Sequence, residues 1–151
     1  MSDSEGPRRG RAVGIDLGTR RIGVAVSDSA GILALPRTTV VRTGDAERDR
    51  RTMVALVLEE GATTVVVGLP LSLDGSRGRA AVEAADEADA LRALLERHGV
   101  SVELYDERLT TVSAHRALAT RGDRERARRP VVDQAAAAVM LSAWLQEQGH
   151  R

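Results

Sequence analysis

The 151-residue chain contains no cysteine, which excludes a disulfide scaffold, a thiol nucleophile and a cysteine zinc site. It contains no lysine either: all 22 basic residues are arginine. A lysine Schiff base and a phosphate-loop lysine are thereby excluded, while bidentate phosphate contacts through guanidinium groups stay available. Phenylalanine is absent, and Tyr105 and Trp144 are the only aromatic residues of their kinds. A module that reads single-stranded bases by stacking needs several aromatic platforms, which this chain cannot supply. His98, His115 and His150 are scattered, unlike a zinc constellation. No run of about 18 apolar residues exists, so no membrane-spanning helix is expected. The polar N-terminal stretch lacks the apolar segment of a secretory signal, and a cytoplasmic location is the expectation.

What is present is a globular composition, 42% hydrophobic and 29% charged, at a length that suits one domain. Residues 1–10 (MSDSEGPRRG) have no periodicity and read as a flexible tail, leaving 11–151 as a single domain. Formal net charge is zero, but its distribution is uneven. Arg8, Arg9, Arg11, Arg20 and Arg21 crowd the start, and Arg116, Arg121, Arg124, Arg126, Arg128 and Arg129 crowd a late segment. Glu83, Asp86, Glu87 and Asp89 make the middle acidic. Taken singly, each run is accounted for by a solvated face.

Residues 11–17 and 21–27 are short β-rich runs around Gly18-Thr19-Arg20 and predict an antiparallel hairpin. A third strand is expected at 38–42, after a loop containing Gly31 and Pro36. Met53, Leu56, Val57 and Glu60 recur at helical spacing within 45–60, with Gly61 as the stop. The continuous apolar run 63–69 reads as a strand buried on both faces. The turn-rich stretch 70–78 follows, then a helix over about 79–98, a strand at 100–105, a helix from Thr110 or Thr111 to about Ala119, and a final helix entered at Pro130. This order predicts an α/β fold: a mixed sheet with an antiparallel hairpin portion and helices on both faces.

Three acids stand where a charge needs a reason. Asp16 closes an otherwise apolar strand, where it either starts the turn at Gly18 or serves a site. Glu107 and Arg108 follow a strand directly, where functional groups of open α/β sheets gather, although a surface ion pair also suits them; Asp106 is the weaker candidate. Asp133 enters the last helix among apolar residues, favourable to the helix dipole but in need of a partner if buried. Together they form the all-carboxylate donor set that Mg²⁺ accepts without histidine or cysteine. The string Asp74–Gly78 is either a plain loop or a lid whose backbone NH groups and Arg77 meet a phosphate.

The strings GIDLGTRRIGVAVSD (14–28), VVGLPLSLDGSRG (66–78), YDERLTTVSA (105–114) and VVDQAAAAVML (131–141) resemble the YqgF/RuvX family over about 11–147. These are bacterial RNase H-fold proteins linked to Holliday junction resolution and to pre-16S rRNA processing. The resemblance implies an RNase H-like fold, a five-stranded mixed sheet whose first three strands are antiparallel. It places the family's acidic triad, as catalytic residues and metal ligands, on Asp16, Glu107 and Asp133. It implies Mg²⁺ or Mn²⁺, with Asp16 between two ions that activate water and stabilise the leaving 3′-oxygen. Arg21, Arg108, Thr110 and Thr111 match further motif positions, and Asp74 and Gly75 match the family's DG loop. Nucleic-acid contacts are expected at Arg20, Arg21, Arg77, Arg108, Thr110, Arg126 and Arg129. The implied activity is metal-dependent phosphodiester hydrolysis in 5′-end processing of pre-16S rRNA. The alternatives are a resolvase of four-way DNA junctions and a non-catalytic RNA-binding assembly factor. Implied partners are precursor rRNA or branched DNA, with ribosomal particles, for a monomer or homodimer. The IDLGT string also resembles the first phosphate loop of actin-like ATPases, but those need two such domains to clamp ATP. Three structural expectations follow: the acids converge at one edge of the sheet, like-charge crowding raises at least one carboxyl pKa, and the arginines form a positive rim.

Overall fold

The computed structural model describes residues 10–110 and 129–149. Strands β1 (Arg11–Leu17), β2 (Arg21–Ser27) and β3 (Ala34–Val41) precede helix α1 (Ala46–Glu59). Strand β4 (Ala62–Leu69), helix α2 (Arg79–Leu95), strand β5 (Ser101–Asp106) and helix α3 (Arg129–Gly149) complete the order. The strands form one sheet, β3-β2-β1-β4-β5; β2 runs antiparallel to its neighbours β1 and β3, and β4 and β5 join in parallel with β1. The expected helix from 110 or 111 to 119 and the arginines of 116–128 lie outside the described residues.

Side-chain alternation decides which helix covers which face. Val13, Ile15, Ile22, Val24, Val65 and Val67 point to one side, where they pack with Met53 and Val57 of α1 and Leu91 and Leu95 of α2. Ala12, Ala25, Val66 and Tyr105 point to the other side, against Ala136, Ala137, Met140 and Leu141 of α3. The central strands are therefore apolar on both faces, as the run 63–69 required. At about 25 cal/mol per Å² of apolar surface, these two layers supply the main stabilisation of the fold.

The two largest boundary differences from the sequence reading are at β3 and α2. β3 begins at Ala34 rather than at 38 and includes Pro36. An edge strand tolerates proline because one side of it has no ladder to satisfy, and the register shift opposite Val24/Ala25 absorbs the irregularity. Helix α2 ends at Leu95, and a single 3-10 turn, Glu96–His98, carries the chain to Gly99, whose φ of 73° is the left-handed stop that glycine permits. Among the described residues no helix is long and apolar enough to cross a membrane.

Candidate active site

Asp16 lies on the α3 side of β1, because it alternates with Ala12 and Gly14 and not with Val13 and Ile15. It is 3% exposed. Its register partner on β2 is Gly23. On the other side, Ile15 pairs with Val67 in parallel, which brings Gly68 of β4 alongside Asp16. An acid is thus flanked on both neighbouring strands by residues without side chains.

Both glycines are filled from above by the other two acids. A Cβ on Gly23 would stand 2.1 Å from the backbone oxygen of Asp133 and 3.2 Å from its Cβ. A Cβ on Gly68 would stand 2.4 Å from Oε1 of Glu107 and 3.0 Å from the sulfur of Met140. Gly14 likewise lets α3 settle onto β1, with Leu141 Cβ 3.0 Å from the position its own Cβ would take. Strand-interior glycines mark such close approaches, and they place Asp16, Glu107 and Asp133 at one end and on one face of the sheet.

Local structure holds each acid in place. Glu107 opens a 3-10 turn, Glu107–Leu109, and is 2% exposed. Asp106 caps that turn by accepting from the Arg108 backbone NH at 2.9 Å, and the Thr110 hydroxyl donates to the Glu107 carbonyl at 2.9 Å. Helix α3 starts at Arg129, so Asp133 falls just past its first turn rather than within it. There Asp133 stands 3.5 Å from the guanidinium of Arg21, with both side chains partly buried. Among the described residues, no three histidine, aspartate or glutamate side chains close into a ready ligand shell. The chemistry of the donor set nevertheless suits a hard divalent cation: Asp16, Glu107 and Asp133 offer oxygen donors at one end of one face of the sheet.

Burial pushes the Glu107 carboxyl up to about 7, with the nearby Asp106 charge a smaller cause. The expected cause, crowding among the three acids, is therefore not what raises this group. The folded form holds the Glu107 proton more tightly than the unfolded chain, so this group's stabilisation is full below pH 4.5 and is lost as pH rises through 7. The loss amounts to about 3 kcal/mol. Urea unfolding of metal-free protein is expected to show stability falling over this interval, and Glu107→Gln is expected to flatten that part of the profile.

The predicted phosphate-binding arginines divide. Arg21 is committed to Asp133. Arg108 grips Asp106 through Nε and Nη2, the latter at 2.7 Å, and donates from Nη1 to the Leu73 carbonyl at 3.2 Å. That bond ties the 70–78 loop to the site, while Asp74 folds the loop on itself by accepting from Ser76 N and Oγ. Arg77 is exposed on the loop and Arg20 is exposed at the hairpin turn. Thr111 and Arg126 lie outside the described residues, as does the side chain of Arg129. Sequence reasoning undervalued Asp106, which organises Arg108 and the Glu107 turn. It also missed Gly23 and Gly68, although a glycine inside an apolar strand was the available signal.

The architecture is an RNase H-like fold. The fold matches RuvC of Thermus thermophilus bound to a Holliday junction, with a TM-score of 0.61 at 19% identity, covering 93% of this chain and 96% of that one. It also matches the yeast mitochondrial Holliday junction resolvase, with a TM-score of 0.58 at 12% identity, covering 98% and 83%. Residues 10–147 match the family described as "RuvX: Holliday junction resolvase", and the chain belongs to that family. A Rhodococcus opacus protein named "Putative pre-16S rRNA nuclease" is 49% identical over 93% of this chain and 80% of its own length. A Mycobacterium leprae protein of the same name is 48% identical over 97% and 78%.

Proposed function

We propose that this chain is a cytoplasmic, divalent-metal-dependent nuclease that hydrolyses phosphodiester bonds in precursor 16S rRNA. The observation that carries the reading is the acid cradle: buried Asp16 between Gly23 and Gly68, with Asp133 and Glu107 over those glycines. Asp16, Glu107 and Asp133 would hold Mg²⁺ or Mn²⁺, which supplies a nucleophile at neutral pH and stabilises charge on the leaving oxygen. Arg21 keeps the Asp133 carboxylate oriented. Arg108, braced by Asp106 and Leu73, presents positive charge beside the cradle for the phosphate backbone. The names of the relatives support the RNA substrate, and the family description supports a second reading, four-way DNA junctions.

The test is purified protein with Mg²⁺ or Mn²⁺ against labelled 5′-extended 16S precursor and labelled four-way junctions in parallel. Cleavage of the precursor supports the proposal. Cleavage of junctions alone moves the assignment to resolution. Inertness on both with either metal overturns catalysis in favour of an assembly factor. In the active case, Arg21→Ala is expected to lower kcat about 10–100-fold by releasing Asp133, with a small change in KM. Arg21→Lys should recover part of that loss in the same steady-state assay.

A further inference from the structure

The end of the sheet that carries the acids also carries two clefts on its opposite, α1-facing side. Neither is lined by Asp16, Glu107 or Asp133. The first, about 350 Å³, contains Arg42 and Arg50 but also Glu83, Asp86 and Glu87. Glu87 already takes Arg50 through two bonds of 2.7 and 3.0 Å, so the remaining balance repels an anion. The second, about 480 Å³, is different: Thr19, Arg20, Arg42, Gly44 and Ala46 line it with one acid, Asp49. Asp49 is buried and occupied, accepting from the Thr43 backbone NH at 3.1 Å and from its hydroxyl at 2.8 Å. The start of α1 is not the anchor, since Asp45 already accepts from the backbone NH groups of Glu47 and Arg48.

Arg42 is the unusual member. Its backbone NH donates to the Arg20 carbonyl at 2.9 Å, which sets Arg20 and Arg42 side by side at the ends of β2 and β3. Its Nε is shut off from solvent and has no hydrogen-bond partner among the described residues. A buried guanidinium nitrogen without a partner is costly, so the Arg42 side chain gains from a shift toward an acceptor held in the cleft. We propose that this cleft is a second phosphate subsite, in which Arg42, Arg20 and the Thr19 hydroxyl hold a backbone phosphate of the nucleic-acid strand whose scissile bond lies at the acids. This deepens the nuclease reading and rests on it. Arg21 faces Asp133 on the α3 side while its neighbour Arg20 faces the cleft, so the strand passes over the 18–20 turn from one face of the sheet to the other.

The test uses the Asp16→Asn protein, which should not cut, and a fluorescein-labelled single-stranded RNA followed by anisotropy across a KCl series. Arg42→Ala is expected to weaken binding about 5–10-fold and to flatten the slope of log K against log salt by about 0.7, the share of one single-strand phosphate. Ala46→Glu puts a carboxylate at the cleft rim, at a helix position that favours acids. It is expected to weaken binding similarly with an unchanged Tm. Unchanged affinity and slope in Ala46→Glu overturn the subsite, as does the same result in a folded Arg42→Ala protein. If Arg42→Ala does not fold, Ala46→Glu decides alone. A parent protein that binds no RNA or junction DNA would instead remove the nuclease reading itself.

Discussion

Asp16→Asn is expected to reduce phosphodiester cleavage at least about a thousandfold, the scale of several kcal/mol of lost electrostatic stabilisation. The side chain is 3% exposed at the end of β1, and asparagine is nearly isosteric, so strand register and packing survive the change. What is lost is the negative charge at the centre of the cradle. Asparagine keeps the size of the side chain and an accepting oxygen, so Tm is expected to change little. Backbone contacts through arginines do not pass through Asp16, so nucleic-acid affinity should persist. Cleavage rates, melting curves and binding isotherms on the same preparation separate these effects. A mutant cutting at the parent rate would take Asp16 out of the reaction. A mutant that cannot fold would assign it to the hairpin turn.

The second large effect is expected from a residue with no side chain. Gly23→Ala adds a single methyl group, yet that carbon would stand 2.1 Å from the Asp133 backbone oxygen. Backbone cannot swing aside as the tip of a flexible side chain does, so α3 must lift from β2 at its N-terminal end. Overpacking of this kind costs about 3 kcal/mol or more, a loss of roughly 6–12 °C in Tm for a chain of this size. Lifting α3 also displaces Asp133 from Asp16, so cleavage should fall well beyond what the stability loss explains. Gly68→Ala is the informative comparison, because its added carbon meets a carboxylate oxygen, Oε1 of Glu107 at 2.4 Å, rather than backbone. It should hurt activity more than stability. Thermal melts and cleavage rates of the two variants together test whether the glycines exist to make room for the acids. Equal Tm for Gly23→Ala and the parent would refute that reading.

Much of this was legible in the linear order of residues. Apolar runs at 11–17, 21–27 and 63–69 specify strands through local chemistry, since β-branched residues in short runs between turn signals have few alternatives. Helix α1 was legible from its spacing, and α3 from Pro130 and the long apolar tract that follows it. The acids were legible as charges in apolar settings, and the family strings gave them roles. Less legible was β3, because Pro36 argues locally against a strand and only its position at the sheet edge makes it acceptable.

Sequence by itself determined the classes of residue available to this protein: carboxylates for hard cations, guanidinium groups for phosphates, and neither thiols nor lysines for covalent chemistry. It also determined which short segments become strands and helices, because those choices rest on neighbours a few residues apart. Tertiary structure alone decided that Gly68 lies beside Asp16, that Asp133 and Glu107 settle over Gly23 and Gly68, and that Arg21 serves Asp133. It alone set Arg42 beside Arg20 with a buried, unsatisfied Nε. The physical reason is that each of these pairings depends on strand order and helix docking. Those are set by how the two apolar layers bury together, and no window of sequence contains both partners of a contact made across the sheet.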